Sequence, residues 1–234
     1  VFYEGYHELA YLHPDRFTPD ARVAEALAPG GEPYFILRFA QLNAHHDVGR
    51  SGITAAVAGR LVEALRPHGR VYVTAERELE PELEPYRIRI DPQDMHSALA
   101  HAHLYVGDSQ TMAAEAAVLG TPSLRFNDFV GEIGYLEELE HRYGLTRGIR
   151  TDAPEQLYEA VRAWLAHDDL KGEWARRRRR MLDEKVDLTE FLLRFIARYP
   201  ASAREAIGSN GAAARVPSEG AVPAEGVALA AGAG

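Results

Sequence analysis

Short apolar runs alternate with segments of helical period along this chain, and that alternation limits its possible folds more than any other feature. "PYFILRF" (33–39) is followed by "ITAAVAGRLVEALRPHG", where Val57, Leu61, Val62 and Leu65 recur at helical spacing before a stop at Gly69. "RVYVTA" (70–75) and "YRIRI" (86–90) read as the second and third strands, and "DMHSALAHA" (94–102) as a short helix. "HLYVG" (103–107), "PSLRF" (122–126) and "LTRGI" (145–149) bring the strands to six, with helical segments between them. "PEQLYEAVRAWLAH" then reads as an amphipathic helix. Strands and helices in this rhythm imply βαβ units and a parallel sheet covered on both faces. The expectation is an α/β, Rossmann-like, doubly wound sheet with right-handed crossovers and strand order 3-2-1-4-5-6. In such sheets ligands sit outside the carboxyl ends of the strands, which directs attention to loops 40–52, 76–85, 91–93, 107–110 and 127–132.

The flanks differ from this core. Residues 1–32 carry Pro14, Pro19, Pro29 and the Gly30-Gly31 pair, and read as a lead-in; residues 33–199 read as the domain itself. After Pro200 the composition turns to Ala, Gly, Pro and Ser, so residues 200–234 are expected to be disordered. The chain opens "VFYEGYHELAYL" without a Met, which reads as the middle of a longer protein. A net charge of −9 argues against general nucleic-acid binding, which needs cationic surface. The chain has no cysteine, so thiolate metal sites are excluded, and a reducing cytoplasm is the expected setting. No apolar run is long enough to span a bilayer.

"LYVGDSQTMAAEAAVLGTP" (104–122) places one carboxylate, Glu115, among Ala113, Ala114, Ala116 and Ala117. Ser109 is the N-cap candidate, and Gly120 followed by Pro122 is the stop. A strand feeding a helix through "GDSQ" puts the helix's free N–H groups at the ligand edge, where an anion is favoured. Glu115, more than one turn in, can accept hydrogen bonds from a sugar diol while Ser109, Gln110 and Thr111 meet a diphosphate. The alternative is an exposed carboxylate on a helix whose alanines serve packing alone.

The run "DM…LAHAHLYVGDS…EAAVLGTP" resembles the C-terminal half of GT-B glycosyltransferases and of UDP-N-acetylglucosamine 2-epimerase. In those families a helix-borne Glu, followed five residues later by Gly and then X-Pro, binds the ribose hydroxyls; Glu115, Gly120 and Pro122 match that spacing. With "YLHPDRF", "NAHHDVG" and "GYLEELEHRYGL", the wider chain is most similar to a domain-of-unknown-function family of archaeal and bacterial GT-B-like proteins, over about residues 1–199. The resemblance implies a nucleotide sugar, UDP-linked, as substrate, with no resident cofactor. It also implies a second Rossmann-like domain, upstream of residue 1. Where the epimerases carry a Gly pair after the Ser, this chain has Gln110 and Thr111.

The same resemblance directs attention to "RFAQLNAHHDVGRSG". His45 or His46 is the counterpart of an active-site His, and Asp47 stands near the acidic position. An imidazole there can contact phosphate or carry a proton, with Asp47 fixing its tautomer; the alternative is a polar loop that satisfies its own backbone. Ile90, Asp91 and Met95 fall where related domains hold the base, and Asn127 and Asp128 where the epimerases have a polar pair near substrate. Each can equally be turn or cap chemistry. His96, His101 and His103 add ligand-type residues without any metal-site spacing. "RRRRR" (176–180) wraps every face of a helix, and "FLLRFI" (191–196) is too apolar for a free surface.

Overall fold

The computed structural model describes residues 3–40 and 52–208. Its first two helices, α1 (Leu9–Leu12) and α2 (Ala21–Leu27), lie in the expected lead-in, yet Tyr6, Leu9, Leu12, Val23 and Leu27 are buried in the domain core. Five parallel strands follow: β1 (Tyr34–Phe39), β2 (Arg70–Ala75), β3 (Leu104–Gly107), β4 (Ser123–Phe126) and β5 (Thr146–Ile149), in the order β2-β1-β3-β4-β5. Between them run α3 (Ala55–Leu65), α4 (Met95–His101), α5 (Gln110–Leu119) and α6 (Gly134–His141). After β5 come α7 (Pro154–Leu165), α8 (Leu170–Glu184), α9 (Leu188–Ala197) and α10 (Ala201–Gly208).

Both faces of the sheet are covered, as near-continuous apolar strands require. Tyr34, Ile36 and Tyr105 pack against α1, α2, α4, α5, α6 and α8, while Phe35, Leu37, Phe39, Leu104 and Val106 pack against α3 and α7. Local chemistry fixes the helix starts. Thr54 Oγ1 accepts from Val57 N at 3.3 Å to cap α3, and Pro154 opens α7 where its missing N–H costs nothing.

Two expectations need correction. "YRIRI" is not a strand: Glu84–Tyr86 is a 3-10 turn, and what remains is one parallel bridge, Val73↔Arg87, with Ile88 N donating to Val73 O at 2.8 Å. Pro85 and Pro92 confine the segment, so it only leans on the outer edge of β2 at that single bridge. With that element reduced, the other five strands keep the expected order. The second correction concerns only the start of the expected tail: Ala201–Gly208 forms α10, with Ser202 Oγ bonded to Phe195 O at 2.6 Å, and residues 209–234 lie outside the described residues.

Candidate functional site

α5 is the sheet's central covering helix. Ala113, Ala114, Ala116 and Ala117 are fully buried, and their small side chains let the helix lie close to β3 and β4. Ser109 caps it, its Oγ accepting from Met112 N at 3.3 Å. Gly120 ends it at φ +83°, and Thr121 N returns to Ala116 O at 2.8 Å, the αL turn that a glycine stop permits. Ser109 and Gly120 thus occupy the roles their positions suggested.

Glu115 is nearly buried within this helix and is held from outside it. Its Oε1 accepts from Tyr11 Oη at 2.9 Å and lies 3.1 Å from His96 Nε2, and the Tyr11 and His96 rings pack at 5.6 Å. Glu8, one helical turn before Tyr11 and 4% exposed, has its Oε2 without a partner among the described residues. Burial raises the Glu8 carboxyl above its ordinary range, and the negative charge of Glu115 raises it further. Tyr135, from α6, is pushed up to about 12 by burial and then by Glu8. Sequence reasoning misses Tyr11, Glu8 and Tyr135; "YLHPDRF" is the signal that holds Tyr11, but nothing local ties it to a helix more than a hundred residues on.

Beside this cluster a cleft of about 380 Å³ opens at the carboxyl ends of β1 and β2. Ile90, Met95 and Met112 supply its apolar lining, and Arg38, Thr74 and Arg87 its polar one. Met112 and Glu115 are three residues apart on α5 and Met95 precedes His96, so the cleft and the Glu115 cluster adjoin. Arg38 Nη1 donates to Thr74 Oγ1 at 2.9 Å and its Nη2 pairs with Glu76; Arg87 is paired with Glu84.

The structure brings together Glu115, Met95 and Ile90, with Gln110 and Thr111 at the head of α5. Thr111 is exposed; Gln110 has both amide atoms buried without a partner among the described residues. Asp91 caps the turn Pro92–Asp94, its Oδ1 accepting from Gln93 N at 2.9 Å. Asn127 is fully buried: its amide donates to Asp108 O at 3.3 Å and accepts from Phe129 N at 3.0 Å, so it braces the loop after β4. Asp128 accepts from Thr151 Oγ1. These last three side chains are engaged in turn and loop chemistry. His45, His46 and Asp47 lie outside the described residues. His101 and His103 stand at the opposite edge of the sheet from His96, lining another cleft with Lys171.

Asp108, the acid of "GDSQ", ties the ligand edge together, a role its position in the sequence does not announce. Its Oδ1 accepts from Ala40 N at 2.6 Å and its Oδ2 from Ile53 N at 2.9 Å, so one carboxylate holds the end of β1 and the approach to α3. A side chain at Gly52 would collide with it, since a Cβ there would lie 2.4 Å from Oδ2. Burial raises the Asp108 carboxyl above its ordinary value, against the lowering effect of those two N–H donors.

No family model matches this chain, and no curated protein sequence matches it. Solved structures do. Spinosyn rhamnosyltransferase SpnG, complexed with spinosyn aglycone, aligns with a TM-score of 0.50 at 15% identity, covering 85% of this chain and 50% of that one. CalG4, the calicheamicin glycosyltransferase, aligns with a TM-score of 0.49 at 21% identity over 73% of this chain and 44% of that one. Glycosyltransferase VinC in complex with dTDP gives 0.49 at 16% identity over 80% and 45%. The chain spans about half the length of the structures it matches. At these identities the likeness concerns the fold: this chain has the Rossmann-like architecture of one half of a GT-B glycosyltransferase.

Proposed function

We propose that this chain is the nucleotide-sugar-binding half of a GT-B-type glycosyltransferase or sugar-nucleotide epimerase, with a UDP-linked sugar as substrate. The observation that carries the reading is Glu115, a carboxylate kept on an otherwise buried helix beside an apolar-floored cleft. In this reading the base lies against Ile90, Met95 and Met112, the ribose diol donates to Glu115, and the diphosphate meets the N-terminus of α5. Tyr11 and His96 both hold the Oε1 of Glu115, which orients the carboxylate for a ligand diol. Among the described residues the cleft lining contains neither a carboxylate nor an imidazole. A second reading, a non-catalytic nucleotide-sugar-binding module, differs in turnover but shares the site.

Titration calorimetry with UDP tests the shared part. Glu115→Ala should weaken binding at least tenfold, about 1.4 kcal/mol. Equal affinity in the two proteins would remove the ribose assignment. Incubation with UDP-N-acetylglucosamine separates the readings: epimerisation or sugar release supports the enzyme, and binding without turnover the module.

A further inference from the structure

Five consecutive arginines, Arg176 to Arg180, lie on α8, and the structure divides them. Arg176 and Arg177 bond Glu173, and Arg180 bonds Glu184. Arg178 and Arg179 have no carboxylate partner among the described residues. Arg178 Nε donates to Val118 O at 2.8 Å, in the last turn of α5. Arg179 is exposed, and Asp183, one turn on, makes no ion pair with it. From the first turn of α8, Lys171 Nζ donates to Ala102 O at 2.8 Å and Ala100 O at 3.4 Å, at the end of α4.

These three cations line one cleft of about 350 Å³, with Leu119, Gly120 and Leu182, and no acidic side chain among the described residues lines it. It lies at the end of the sheet opposite the Met95–Met112 cleft, where α4 and α5 finish. Helix-end carbonyls offset part of the positive charge, but they carry partial charges only. Burial lowers the Lys171 amine to about 8 and lowers the Arg178 guanidinium, with no carboxylate to oppose either shift. Partly buried cations without a counter-ion are costly, and on a chain of net charge −9 their grouping around an acid-free cleft is an electrostatic exception.

We propose that this cleft binds a small phosphorylated anion, a phosphomonoester or diphosphate, held by Lys171, Arg178 and Arg179. Guanidinium forks match phosphate oxygens two at a time, and the lysine adds a compact charge. Leu119 and Leu182 leave room for a short apolar portion of the same molecule. The site is independent of the nucleotide-sugar reading.

The test is inorganic pyrophosphate, titrated calorimetrically into the full chain and its Arg179→Ala variant. The Arg179 side chain is exposed and makes no hydrogen bond or ion pair among the described residues, so the variant keeps the α8 helix. Pyrophosphate should bind the wild type, bind Arg179→Ala at least tenfold more weakly, and move the Lys171 amine titration upward from about 8 when followed by NMR. Saturating UDP-N-acetylglucosamine, whose diphosphate is esterified at both ends, should leave the Arg179-dependent binding in place. Equal affinity in the variant, an unmoved Lys171 titration, or full displacement by UDP-N-acetylglucosamine would each overturn the proposal. So would pelleting with phosphatidylglycerol vesicles in the absence of pyrophosphate binding, which would assign the cations to a membrane surface.

Discussion

A carboxylate on a buried helix costs several kcal/mol unless its oxygens are hydrogen-bonded. Tyr11 and His96 both meet that requirement at the Oε1 of Glu115, whereas Glu8 keeps one buried oxygen unpartnered among the described residues. The same environment sets a pH dependence. Burial, reinforced by Glu115, puts the Glu8 carboxyl of the folded protein above its ordinary value of 4.5. As pH rises through that interval the unfolded chain has released its proton while the folded chain still holds one, so stability falls with rising pH. The groups that face Glu8 are His7 and Tyr11 on its own segment, Glu115 on α5 and Tyr135 on α6. Glu8→Gln keeps the shape of the protonated acid and should remove this slope. Urea unfolding from pH 4 upward should show the wild type losing stability relative to the variant; parallel curves would contradict the account. Glu115 is legible in the sequence because a lone charge among alanines stands out, while Tyr11 and Glu8 are not, since their contact to α5 exists only after folding.

At the scale of elements, α5 illustrates what local chemistry can specify. Ser109, Gly120 and the alanine face are readable because caps, stops and small side chains act within one helix. "YRIRI" misleads because a β-branched run looks alike whether it joins a ladder or touches an edge, and Pro85 and Pro92 decide between them. The histidine loop lies outside what the structure describes. Gly120 offers a sharp test of the helix stop. At φ +83°, with a Cβ position 2.7 Å from Arg178 Cδ, Gly120→Ala must both adopt the left-handed region and displace Arg178. A loss of about 1–2 kcal/mol is expected from the backbone alone, read by urea unfolding. An unchanged midpoint would mean that the turn rearranges at no cost.

For the whole molecule, α9 leaves an apolar face open. Leu188 and Phe191 are buried, whereas Leu193 is 58% and Ile196 69% exposed, beside Leu192 and Tyr199. Contiguous apolar exposure marks a surface that is covered in the working state. The wild-type chain should therefore show a molar mass above the monomer in light scattering, and Leu193→Glu with Ile196→Glu should return it to the monomer. Folding stability should shift by no more than about 0.5 kcal/mol, since these side chains touch little else. A monomeric wild type across the concentration range would leave the face unassigned. The Asp108 carboxylate has its own consequence for how this architecture tolerates change. Because Ala40 N and Ile53 N bond the two oxygens of one side chain, the chain leaves and re-enters the sheet edge at a single neck. The register of β1 beside β3 and the approach to α3 thus depend on one side chain, so a change at Asp108 loosens two elements at once.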